Sequence, residues 1–307
     1  MLGSTFVQAY APRGYLAWEA AAVAMAQAGG QDFAPWGWVD LTLSDDAGNT
    51  ATLQVMADVL AIGTAENHVR LPLRPGPAQS VCNVFGWMLP TPWLVYQIWR
   101  SATRKCTPHA MVPNLGAKLD QYAAHSNLVD QEVAQLAASS SPLPAGGGQR
   151  AAGSFAPALV AGAKKHVVVS NAYKPASVVI FGWYKPSPPA PDVFDQDHIQ
   201  HPWDDPDRQP VQVLSNAHGD FYVDYSHGIQ PVQGTCTVNG QTMRTDALYQ
   251  DPKLCHLVSN EGPVRVVRYP ATVPPATPRP PDQYTKPAPL PLIVSTTPDV
   301  GERIARR

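Results

Sequence analysis

VVIFGWYK, residues 178–185, is an almost unbroken apolar run rich in β-branched and aromatic side chains. Such a run, too short for a helix, predicts a strand buried on both faces. HVVVS at 166–170 has the same character. Further strands are predicted at Val211–Ser215 and Phe221–Ser226. Thr235–Met243 reads as a hairpin whose turn is Asn239-Gly240, because both turn positions need a positive φ. The second half of the chain therefore reads as an antiparallel sheet. A helix around 245–257 follows it.

Working back from that sheet, the first half alternates helices with a hairpin. GYLAWEAAAVAMAQA (14–28) is a run of strong helix formers stopped by Gly29-Gly30. Trp38–Leu43 and Thr52–Ile62 form a hairpin across Ser44–Asn49, and a third strand is expected at His68–Leu73. Pro75-Gly76-Pro77 opens a helix through Phe85. Thr91 caps another that begins at Pro92, and a third runs over about 116–138. SSSPLPAGGGQRAAG (139–153) has linker composition and separates residues 1–138 from a β-rich 154–270. Residues 186–209 are a proline- and aspartate-rich excursion, and 271–307 a proline-rich extended tail. The class is α+β, with a helical and hairpin N-terminal half and an antiparallel β-sheet C-terminal half.

Composition narrows the function. Hydrophobic residues make up 44% and charged ones only 15%, with a formal net charge of −2, so a core is affordable but a phosphate-neutralising basic patch is not. Nucleic acid is excluded as a partner on that ground. No apolar run reaches the length of a membrane span, and Ala20–Ala28 is a short amphipathic helix segment. Four cysteines fall as two local pairs, Cys82 with Cys106 and Cys236 with Cys255, which suits two disulfides, although three pairings are open and free buried thiols acting as small apolar residues are the alternative. Disulfides, 33 prolines and few charges together point to a secreted or envelope location. No dinucleotide fingerprint, phosphate loop, serine elbow or zinc-helix motif occurs, so no cofactor is expected. His198 and His201 among aspartates read as a solvated acidic loop rather than a metal centre.

The groups able to move protons concentrate in HGDFYVDYSHG, residues 218–228. If Phe221–His227 is a strand, Tyr222, Asp224 and Ser226 share one face, and Phe221, Val223, Tyr225 and His227 the other. A Ser226–His227 nucleophile–base pair is then impossible unless the chain bends near Gly228. His227 is the expected acid/base, with Asp224, His218, Tyr225 and Ser226 nearby and partners from distant segments. Glu261 is a further candidate carboxylate. Cys82, on the helix after Pro77, is the candidate nucleophile, because a helix and an imidazole can stabilise a thiolate. Lys165 of the Lys164-Lys165 pair, Trp183, Tyr222 and His125 are the candidate substrate-binding residues.

Two resemblances bear on these residues. Cys82-Asn83-Val84-Phe85-Gly86, followed by Leu89-Pro90-Thr91, resembles the nucleophile region of NlpC/P60 cell-wall peptidases, and Ser226-His227-Gly228-Ile229 their histidine strand. The Asp-Cys-Ser triplet usual in that family is missing. LPT (89–91), VAGAKKHVVVSN (160–171), VVIFGWYK, PVQ (210–212) and YVDYSHGIQPV (222–232) resemble a group of exported bacterial proteins of uncharacterised activity. They share a Lys-Lys strand and an Asp-Tyr-Ser-His-Gly segment. The first resemblance implies a cell-wall hydrolase, and the second implies an exported protein without assigning a reaction. The leading expectation is an exported hydrolase of a polymeric extracellular substrate, with peptidoglycan amide bonds as the first guess. A glycan-cleaving enzyme using Asp224 and Glu261 is one alternative. A non-catalytic envelope or virion binding or assembly protein is another.

Overall fold

A computed structural model describes residues 1–139, 157–186 and 210–276 of the chain. Nearly all of the 139–153 segment, most of the 186–209 excursion with His198 and His201, and the tail from 277 onward lie outside the described residues. The α+β class is observed.

The N-terminal helices are α1 (Gly3–Tyr10), α2 (Tyr15–Gln27), α3 (Pro75–Phe85), α4 (Pro92–Ser101) and α5 (Leu119–Ser139). The sequence reading did not anticipate α1. Trp18, Ala22 and Ala26 recur every fourth residue on α2 and are all buried, which gives that helix one inward stripe. Gly86 ends α3 with φ 71°, its N–H bonded back to the helix, a conformation that needs no side chain. At α4, Thr91 Oγ1 accepts from Leu94 N–H at 3.1 Å, the cap its sequence position predicts.

Two four-stranded sheets hold the strands. The first has the order β1 (Trp38–Ser44), β2 (Thr50–Met56), β11 (Val232–Val238), β12 (Gln241–Arg244), all antiparallel. It takes two strands from each half of the chain. The second has the order β10 (His227–Gly228), β7 (Lys165–Val167), β8 (Ser177–Tyr184), β9 (Pro210–Gly219). Here β7–β8 and β8–β9 are antiparallel, while β10 runs parallel to β7. Two short pairs complete the set: β3 (Ala61–Gly63) with β4 (His68–Arg70), and β5 (Arg104–Lys105) with β6 (Val160–Ala161). A last helix, α6, covers Thr245–Gln250.

Every residue of β8 is buried, as its composition demands. Near its end the strand bulges: register shifts at Gly182, where φ is 114°, and Trp183 follows at φ 63°. A Cβ at Gly182 would sit 3.2 Å from Val95 of α4 and 3.3 Å from His166 of β7, so helix and strand both close onto that glycine. One apolar cluster runs from Phe6 to Tyr269 and joins both halves of the chain.

The disulfides are not present. All four cysteines are free and buried. Cys82 lies in the main core, whereas Cys106 packs in a separate small cluster with Val129, Val160 and Ala163, so the two sulfurs never meet. Cys236, on β11, directs its sulfur to the Met243 carbonyl at 3.6 Å. Sequence proximity had paired cysteines that the fold assigns to packing.

Candidate functional site

The segment Phe221–Ser226 is not a strand. After β9 the chain turns at Asp220-Phe221, and again at Tyr225-Ser226, before the two residues of β10. His227 N–H reaches Asp224 O at 3.1 Å, and Ser226 N–H donates to Asp224 Oδ1 at 2.8 Å. An aspartate that bonds the amide two residues on makes a local turn, which competes successfully with extension here. Strand alternation therefore does not apply to this stretch.

Asp224 organises the turn. Its Oδ1 also accepts from Ser226 Oγ at 2.5 Å, while Oδ2 accepts from Tyr222 Oη at 2.8 Å and from Asn114 Nδ2 at 2.9 Å. Burial opposes ionisation, yet nearby His227 and the bonds from Ser226, Tyr222 and Asn114 hold the carboxyl well below its usual range. A carboxylate with four donors has no lone pair left for a further partner, so Asp224 is committed to holding the turn.

His227 is fully buried, and neither ring nitrogen has a hydrogen-bond partner among the described residues. Burial pushes its pKa down to about 4, against the opposing pull of Asp224. The coupling to Asp224 acts through space, without the hydrogen bond of a catalytic dyad. Tyr222 packs edge-on to the imidazole at 5.3 Å between centroids, and the exposed His218 stacks on Tyr222 at 3.8 Å. Gly228 lets this strand lie against its neighbour: a Cβ there would be 2.8 Å from Lys164 Cβ.

Of the lysine pair, Lys164 enters the core and Lys165 does not. Lys164 is 1% exposed, with Nζ donating to Tyr225 O at 2.5 Å and 3.0 Å from His125 Nδ1. Burial and the charge of Arg70 lower its pKa to about 7, partly offset by Asp224, Asp58 and Asp130. His125 is buried as well and held neutral by burial and by Lys164. Lys165 instead lies 4.9 Å over the Trp183 ring, and Trp183 is only 7% exposed, its Nε1 donating to Ala163 O. Tyr225 is fixed by Met111 N–H, which donates to its hydroxyl at 2.8 Å.

The remaining candidates share no hydrogen bond with this cluster among the described residues. Cys82 is buried, no imidazole among the described residues perturbs it, and burial pushes its thiol up to about 12, so it stays protonated. Glu261 accepts from Ser170 Oγ through Oε1 at 2.8 Å, its buried Oε2 is unpartnered, burial raises its pKa, and among the described residues it shares no hydrogen-bond partner with Asp224.

Sequence reasoning expected one amine of the Lys164-Lys165 pair to be buried but chose Lys165 for the site, and it missed Asn114 and the ionic group behind them. Arg70 is 2% exposed and forks onto Asp58 through Nε and Nη2, while its Nη1 bonds Asp130 Oδ1 and Ser126. The signal was present: HVRLPL places a charged residue inside a largely apolar run expected to be a strand. A neutral imidazole, a carboxylate held ionised and an amine poised near neutrality thus meet in one buried region assembled from both halves of the chain. Such a set can accept, hold and return a proton. Comparisons with protein-family models, curated proteins and solved structures found no match to this chain.

Proposed function

We propose that this protein is a hydrolase of a polymer outside the cell, with peptidoglycan amide bonds as the first substrate, and that His227 is its acid–base group. The observation that supports this reading is the His227 imidazole, buried beside an ionised Asp224 with both nitrogens open. A histidine kept for packing alone is normally hydrogen-bonded, because an open buried nitrogen costs stability. The half-exposed Tyr222, with His218 stacked on it, is the cover that a substrate displaces. In the reaction, water adds to the amide carbon while His227 takes its proton. His227 then returns that proton to the departing nitrogen as the C–N bond breaks, leaving a carboxylic acid and an amine. Lys164, when protonated, supplies positive charge close to this centre.

Purified sacculi incubated with the wild type and with His227→Gln test the reading. The variant is expected to release free amines about 100-fold more slowly at an unchanged melting temperature. Release at the wild-type rate would overturn the assignment. The paired-carboxylate reading is less favoured, because Asp224 is saturated by its own donors and shares no partner with Glu261 among the described residues. A non-catalytic binding protein is the second reading, favoured by Phe221, Val211 and Val213, which stand exposed on and beside the edge strand β9. It predicts co-sedimentation with sacculi and no release of amines.

A further inference from the structure

On the far side of the Arg70 network, a cleft of about 420 Å³ opens between α1, the β3–β4 turn and α5. Among the residues lining it are Glu66, Asn67, His68, Asn127, Asp130 and Gln8, and its lining holds no lysine or arginine. Asp130 lines the cleft and is about one-third exposed. Burial works against its ionisation, but His68 and Arg70 outweigh burial and hold its pKa below the ordinary value. An ionised carboxylate only accepts, so His68 Nε2, 3.0 Å away, carries the hydrogen between them. His68 Nδ1 has no hydrogen-bond partner among the described residues. The His68 side chain is only 7% exposed.

Both bonds to Asp130, from His68 and from Arg70 Nη1, land on Oδ1. Oδ2 has no hydrogen-bond partner among the described residues. Arg70 is shared between Asp58 and Asp130, and Glu66 stands exposed at the rim, so negative charge is in surplus. The first amides of α1 do not reverse this sign. Gly3 N–H donates to Asn67 O at 2.9 Å and Ser4 N–H to Asn67 Oδ1 at 2.8 Å, so neither is available to an anion. Among the described residues no group of three or more His, Cys, Asp or Glu side chains is arranged to hold a metal ion.

We propose that this cleft binds a primary ammonium group, as carried by an alkylamine or a basic side chain. Asp130 Oδ2 receives one N–H, and Glu66 and the amide oxygens of Asn127 or Gln8 receive the others. Three tetrahedral donors suit a cleft of scattered acceptors better than the flat fork of a guanidinium. Val7, Val69 and Ala123 supply apolar wall for the alkyl stem. The inference stands independently of the hydrolase reading, since it uses none of the His227 cluster.

Titration of ¹⁵N-labelled full-length protein with n-butylamine, n-butanol and butyrate tests it. Butylamine is expected to give saturable shifts at Ser4, Asn67 and Asn127, with no comparable response to butanol or butyrate. Glu66→Gln should weaken butylamine by roughly tenfold. Asp130→Asn should weaken it at least as much, but it also removes an Arg70 partner. Glu66→Gln, outside the buried network, is therefore the decisive variant. Equal responses to butanol and butylamine, an unaffected Glu66→Gln, or no saturable shift in the wild type would each overturn the proposal.

Discussion

Lys164 illustrates how a single buried group leaves a signature in solution. Its pKa falls from 10.5 to about 7 in the fold, so above pH 7 the unfolded chain holds the proton more readily than the native one. Stability should therefore rise with pH between 7 and about 9, before the buried thiols, whose pKa values are raised, reverse the slope. Lys164→Met should remove that rise, which urea titrations across the window would detect. His227 and His166, both lowered from 6.5 to about 4, act at lower pH with the same sign. Their stabilisation is complete above 6.5 and is lost as pH falls towards 4, so acid should unfold the wild type earlier than His227→Gln. At this scale the sequence was informative about which residue types mattered and less so about which copies. A Lys-Lys pair entering an apolar strand says that one amine is buried, but only the β7 register decides that Lys164 goes in and Lys165 caps Trp183. The cysteines misled for a related reason, since nearness in sequence carries no information about the distance between sulfurs.

The elements that declare themselves locally are the ones that could be read. Caps, the Asn-Gly hairpin and the apolar run of β8 each carry their own signal, and the structure places them where that signal points. Thr91→Ala should cost about 1–2 kcal/mol, because its hydroxyl accepts from Leu94 N–H and donates to the buried Val258 carbonyl. Gly182→Ala should be at least as damaging, as it adds a Cβ at a left-handed φ between Val95 and His166. Thermal melts of the two variants check both. The stretch from Phe221 to Ser226 could not be read in this way. Its alternating pattern suits a strand, but Asp224 is held by Asn114, 110 positions earlier, and no window along the sequence contains that partner. The same holds for the two parallel pairings, which depend on chain crossings rather than on composition.

For the molecule as a whole, the two halves suggested by the glycine-rich segment share their structure. The first sheet places β11 beside β2, so neither half completes it alone, and the main core runs through both. Unfolding of the intact chain should therefore be one cooperative transition, with near- and far-ultraviolet dichroism coinciding; separate midpoints would show two independent units. The same sharing builds the site. His125 and Asn114 come from the first half, and Lys164, Asp224 and His227 from the second. The most direct test of His227 as the acid–base group is the initial rate of amine release from sacculi, followed between about pH 3 and 8 for the wild type and His227→Gln. The wild-type rate should fall away as pH drops through about 4, where the imidazole becomes protonated, and the variant should be slow throughout. Equal rates in the two proteins across that range would contradict the role given to His227.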